Sequence, residues 1–141
     1  MKQSVYRIID ANLNRSREGL RVCEEITRFA LNSHSMTSDL KSVRHDISGI
    51  VKSSALKLKD IPGARDSEAD VLRCSGSASE MKRHDMADIF AANIERVKES
   101  LRVLEEFFKL IDGKSSSKLC GLRFKVYEIE KKAMKRLNDT N

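Results

Sequence analysis

With 141 residues and a formal charge of +6, from 27 Lys and Arg against 21 Asp and Glu, the chain is long enough for one domain with its own core. The absence of Trp, a single Pro, six Gly and 5% aromatic residues fit helices better than sheets. No apolar run reaches the ~20 residues of a membrane span. Cys23, Cys74 and Cys120 show neither a disulfide framework nor zinc-ligand spacing, which points to a reducing cytoplasm.

The first helix is expected from about Ser4 to Leu31, where Val5, Ile8, Ile9, Leu13, Leu20, Cys23, Ile26 and Ala30 recur at helical spacing. The N-terminal stretch MKQSVYRIID lacks the apolar core of a signal peptide. NSHSMTS interrupts the pattern with several N-cap candidates. A second helix is expected from about Asp39 to Leu56, with Leu40, Val43, Ile47, Ile50 and Val51 on one face. Asp39 near its start suits the helix dipole. Periodicity then stops over about Lys57–Gly76, a stretch that serves as a functional loop or as a tether between halves.

Ser77 and Glu80 have the spacing of a capping box, so a third helix is expected from there to about Ile111. Gly113 is placed as its C-cap. A fourth helix is expected over about Ser117–Leu137, with Leu119, Leu122, Val126, Ile129, Ala133 and Leu137 on one side. His34, His45 and His84 follow no ligand spacing and read as surface or capping residues.

The chain repeats itself. Ala11–Phe29 aligns on Ala92–Leu110 with nine identities in nineteen positions, among them Asn12/Asn93, Arg15/Arg96, Arg21/Arg102 and Glu24/Glu105. LKSVRHDI (Leu40–Ile47) aligns on LCGLRFKV (Leu119–Val126), which keeps Arg44/Arg123, and the offset falls from 81 to 79. The expected fold is therefore all-α: two repeated helical hairpins packed as a pseudo-twofold four-helix bundle with a long central loop. Repeat one covers about 4–56, the loop about 57–76 and repeat two about 77–137. Apolar edges such as Tyr6, Val22 and Phe29 would be covered in a homodimer.

Packing explains repeated leucines but not repeated Asn, Arg and Glu. Residues 12, 15, 19 and 22 lie on one line of the first helix and read Asn12, Arg15, Gly19, Val22; the twin line reads Asn93, Arg96, Ser100, Val103. A helical Gly costs ~1 kcal/mol relative to Ala, so a close approach by another helix or by a ligand is implied at Gly19. Arginine suits bidentate phosphate recognition, and Arg15, Arg21, Arg44, Arg96, Arg102 and Arg123 are joined by Arg65 and Arg73 on the loop. Carboxylates beside a phosphate site suit Mg²⁺. These are parts for phosphoryl transfer, although no P-loop or kinase catalytic-loop signature is present. The basic charge also fits a helical nucleic-acid-binding or regulatory module without enzymatic activity, but the repeated Glu24/Glu25 and Glu105/Glu106 would repel a phosphate backbone.

YRIIDANLNRSREGLRVCEEITRFAL (Tyr6–Leu31), LKSVRHDI, GARDSEADV (Gly63–Val71) and AANIERVKESLRVLEEF (Ala91–Phe107) together resemble the small all-helical hydroxymethylpyrimidine phosphate kinases of thiamine biosynthesis. These occur alone or fused in front of thiamine-phosphate synthase. The resemblance covers nearly the whole chain. It implies ATP as co-substrate, Mg²⁺, and conversion of hydroxymethylpyrimidine phosphate to the diphosphate. With the chain ending at Asn141, the synthase activity of the fused relatives is not expected. On this reading Asn12, Arg15, Asn93 and Arg96 would line a cleft between the hairpins. Arg21, Arg44, Arg65 and Arg102 would grip phosphates, and Glu24, Glu105 and Asp66 would hold Mg²⁺ or orient the hydroxyl. The differences between copies, Gly19 against Ser100 and Asn14 against Glu95, would let the two halves tell nucleotide from pyrimidine.

Overall fold

A computed structural model describes residues 2–56, 59–72, 74, 76–78 and 81–140. Among them there are helices and no strands: α1 (Lys2–Glu25), which runs on into a π-helical turn (Ile26–Ala30), α2 (His34–Ser53), the short α3 (Asp60–Gly63), α4 (Met86–Phe108) and α5 (Gly113–Thr140). None is long and apolar enough to cross a membrane. The all-helical, twice-repeated hairpin expected from the sequence is the architecture found. α1 with α4, and α4 with α5, form the most extensive interfaces. The core includes Ile9, Leu20, Leu40, Ile47, Phe90, Leu104, Phe108 and Leu119, all fully buried.

Helix boundaries differ from expectation where capping decided them. α2 begins at His34, because the Ser33 side chain accepts the Met36 N–H. α5 begins at Gly113, because Asp112 accepts the Ser115 N–H at 2.7 Å. Gly113 thus opens α5 and does not cap α4. Ser33 and Asp112 are 79 residues apart, the offset of the second helices, so the two caps are counterparts in the repeat. The Ser115 N–H holds the Asp112 carboxyl below the usual carboxylate range. α4 starts at Met86, capped by Asp85, later than the capping-box spacing suggested; Glu80 and the loop's Arg73 lie outside the described residues.

α1 and α4 run antiparallel. Gly19 packs on the backbone of Asn93 and the side chain of Val97, and the Cys23 thiol donates to the Phe90 carbonyl. In that register Ser16 and Val97, which correspond in the repeat, fall at the middle of the crossing, so the pseudo-twofold axis passes there. A Cβ on Gly19 would stand 2.8 Å from the Asn93 carbonyl oxygen and 2.8 Å from Val97 Cγ2. The close approach implied at this glycine is therefore a helix, and its counterpart Ser100 is equally buried, donating to the carbonyls of Arg96 and Val97. This pair of positions sets helix packing and is closed to ligands, which corrects the expectation that it distinguishes two substrates. Tyr6 also lies in the core, and of the three apolar edges expected to need cover only Phe29 is exposed. Burial, then the nearby Glu130 and Glu24, push the Cys23 thiol up to about 12.

Candidate functional site

The repeated glutamates and arginines are paired with one another inside each hairpin. Glu24, only 4% exposed, accepts from Arg44 Nε at 2.7 Å and from Arg21 Nη1 at 3.2 Å. Its counterpart Glu105 accepts from Arg123 Nε at 3.1 Å and from Arg102 Nη1 at 3.0 Å. Arg21 also reaches Glu25, and Arg102 reaches Glu106. A buried carboxylate requires such partners, and these bonds tie the first helix of each hairpin to its second. Asp10 stands fourteen residues from Glu24, about 21 Å along α1.

Arg15 and Arg96 behave differently. Both are exposed, and neither makes a hydrogen bond or ion pair among the described residues. As repeat counterparts they lie close to the pseudo-twofold axis, so both enter the same cleft, of about 850 Å³. Its other walls are α1, through Arg7, Asn12, Asn14 and Glu18, and the loop, through Arg65, Asp66, Asp70 and Cys74. Asn12 and Asn93 each donate to the carbonyl four residues back, Ile8 and Ile89, which fixes both amides against their own helices.

Among the described residues, the loop's side-chain bonds to the bundle go to the first repeat. Arg65 makes two 2.7 Å bonds to the carboxylate of Asp10, which is 7% exposed and has Ala91 as its counterpart. Arg7 donates to the Asp66 carbonyl, and Asp66 Oδ1 accepts the Ala69 N–H at 3.1 Å. Among the described residues, a cleft built on a symmetric pair of arginines thus has its loop bonded to one wall.

The structure brings Asn12, Arg15, Arg65, Asp66 and Arg96 to this cleft. It places Glu24, Arg21 and Arg44 together at the α1–α2 turn, and Glu105 with Arg102 in the second hairpin. Sequence reasoning missed Asp10, Glu18, Asp70 and Arg7. The signal for Asp10 was present: Tyr6, Ile9, Asp10 and Leu13 form one helical stripe, and an acid on an apolar stripe needs a cation from elsewhere in the chain. Asp10→Asn should release the loop while leaving the bundle intact. Hydrogen exchange over residues 65–72 should rise several-fold and exchange in α4 should not change; equal protection of the loop in both proteins would refute the latch.

Residues 7–132 match the ThiD2 family. The chain is 37% identical over 134 residues to a protein of Nostoc sp. strain PCC 7120, covering 95% of this chain and 36% of that protein. It is 38% identical over 125 residues to one of Rhodopirellula baltica, covering 89% and 33%. It is 39% identical over 127 residues to one of Synechocystis sp. strain PCC 6803, covering 90% and 35%. All three are named thiamine-phosphate synthase. The chain spans about a third of the length of the curated relatives it matches. No solved structure matches it.

Proposed function

The chain belongs to the ThiD2 family, the ThiD-like domain that thiamine-phosphate synthases carry at their N-terminus, and from that premise we propose that it is an ATP-dependent kinase of thiamine biosynthesis. It transfers the γ-phosphoryl group of ATP onto hydroxymethylpyrimidine phosphate. A phosphate oxygen of the acceptor bonds to the γ-phosphorus, the bond to the β–γ bridging oxygen breaks, and ADP leaves with the electron pair.

The acceptor is itself a phosphate carrying about −1.5 to −2 charges at neutral pH, so no hydroxyl has to lose a proton. The barrier lies in bringing two anions together, and cations aimed at one point lower it. The observation that carries the reading is the pair Arg15 and Arg96, the repeated arginines left without carboxylate partners and the two that share a cleft. One arginine from each repeat is a natural arrangement for one phosphate chain from each substrate. Asp10 acts through Arg65 to hold the Asp66 segment over them.

Among the described residues no three His, Cys, Asp or Glu side chains are grouped to hold a metal by themselves. Mg²⁺ would enter on the nucleotide, since this ion keeps its waters and phosphate oxygens and asks for only one or two carboxylates. Asp66 and Asp70 in the cleft supply such oxygens, whereas Glu24 and Glu105 are occupied by arginines. When bound, the ion neutralises charge on the transferring phosphates. The synthase activity in the relatives' names is no part of this proposal, because it is a property named for proteins about three times as long.

The test is incubation with Mg·ATP and hydroxymethylpyrimidine phosphate, with the unphosphorylated pyrimidine as control and mass spectrometry as readout. The diphosphate should appear only from the monophosphate. Absence of the diphosphate with every divalent metal tried would sink the kinase reading.

A further inference from the structure

The α1–α2 turn holds a second cavity, of about 630 Å³, whose Arg28 stands thirteen residues, about 20 Å, along α1 from Arg15 in the cleft. Arg21, Arg28, Lys41 and Arg44 line it against the two carboxylates Glu24 and Glu25, which leaves a surplus of two positive charges before His34 is counted. Both carboxylates are already neutralised by Arg21 and Arg44. Arg28, which lies over the Phe29 ring, and Lys41 have no carboxylate partner among the described residues.

The repeat supplies an internal control. The matching turn of the second hairpin keeps Arg102, Glu105, Glu106 and Arg123. There Lys109 stands for Arg28 and is consumed by Glu106 at 2.8 Å. Cys120 stands for Lys41, Gly113 for His34, and the acidic Asp112 for Ser33. Counted over the same positions, the second turn has three cations and three carboxylates and no surplus. The salt-bridge frame is thus common to both hairpins, and the positive surplus belongs to the first alone. Holding unpaired cations together is unfavourable without a counter-anion, and a phosphate oxyanion offers acceptors to both at once.

We propose that the cavity at the α1–α2 turn is a second phosphate site, which takes a phosphate or diphosphate group through Arg28 and Lys41 and is separate from the cleft of Arg15 and Arg96. Its occupant bridges the end of α1 to the start of α2 and stiffens the first hairpin. The proposal does not depend on the kinase reading.

Titration of the full chain with inorganic diphosphate, and separately with inorganic phosphate, at low salt tests it by amide NMR. The amides of His34, Ser35 and Lys41 should shift saturably. The shifts should persist in an Arg15→Gln/Arg96→Gln variant, which removes the two cleft arginines that make no hydrogen bond or ion pair among the described residues. Arg28→Gln/Lys41→Gln should weaken the binding at least about tenfold with no change in melting temperature. Lys109→Gln, at the matching position of the other hairpin, should change nothing. A stronger response to diphosphate than to phosphate would identify the diphosphate as the preferred group. Unshifted turn amides, binding that survives Arg28→Gln/Lys41→Gln, or an equal loss in Lys109→Gln would each overturn the proposal, the last by showing overall charge at work.

Discussion

Replacing Arg15 or Arg96 with Ala should lower turnover of the phosphoryl transfer by about a hundredfold or more, with helicity and melting temperature unchanged. Both side chains are exposed and unpaired, so folding does not use them. Their loss leaves the cleft without the two arginines that make no hydrogen bond or ion pair among the described residues. Lysine at either position should restore part of the rate, since it keeps the charge but loses the fork that matches phosphate oxygens. If the two arginines hold different phosphates, one variant should raise KM for the nucleotide and the other KM for the pyrimidine phosphate. Wild-type rates in both alanine variants would remove these residues from the site. By contrast Arg21→Ala and Arg102→Ala should act mainly on stability, because their partners are Glu24 and Glu105.

The second large effect is expected at Gly19. An added methyl meets a backbone oxygen and a valine methyl at 2.8 Å, so the crossing must open. Overpacking of this kind costs about 1–3 kcal/mol, and the better helix propensity of Ala returns about 1. Gly19→Ala should therefore destabilise by up to about 2 kcal/mol and Gly19→Val by about 3 kcal/mol or more. The repeat indicates a compensation. Gly19 packs on Val97, and the pseudo-twofold relation matches that pair with Ser100 and Ser16, so a very small residue meets a larger one in one pair and two small residues make up the other. Val97→Ser should then recover part of the stability lost in Gly19→Ser, as read from thermal unfolding of the four proteins in the cycle. Simple additivity of the two changes would refute the complementary packing.

The helices and the duplication were legible because both write a period into the sequence. The apolar stripes give the helices, and the drop of the offset from 81 to 79 located the unequal turns, the longer of which holds the π-helical segment Ile26–Ala30. The boundaries were less legible, because a cap is one side chain reaching one N–H. Ser33 and Asp112 were chosen by geometry from several candidates. The repeat singled out arginines that the structure divides between a cleft and salt bridges, a division the repeat does not make. Arg15 and Arg21 look alike in sequence, each with a glutamate three residues on, Glu18 and Glu24, yet only Arg21 pairs with its glutamate, and Arg15 enters the cleft. Spacing along one helix does not make that distinction; it rests on the pairing of Glu24 with Arg44 across the hairpin, which buries Glu24. The Asp10–Arg65 latch joins residues 55 positions apart and depends on where the loop lands.

That latch has a consequence for descent. A lone hairpin of this sequence could bury its stripe only by pairing with an identical copy, and such a dimer would carry matching arginines across a true twofold. Every substitution on one wall of its cleft would be made on the other as well, so its two ends could never be given to two different molecules. Joining the copies in one chain removes that constraint. Ala91 can stand where Asp10 stands, the wall with Asp10 holds Arg65 of the loop, and a symmetric ancestor becomes a site with a left and a right.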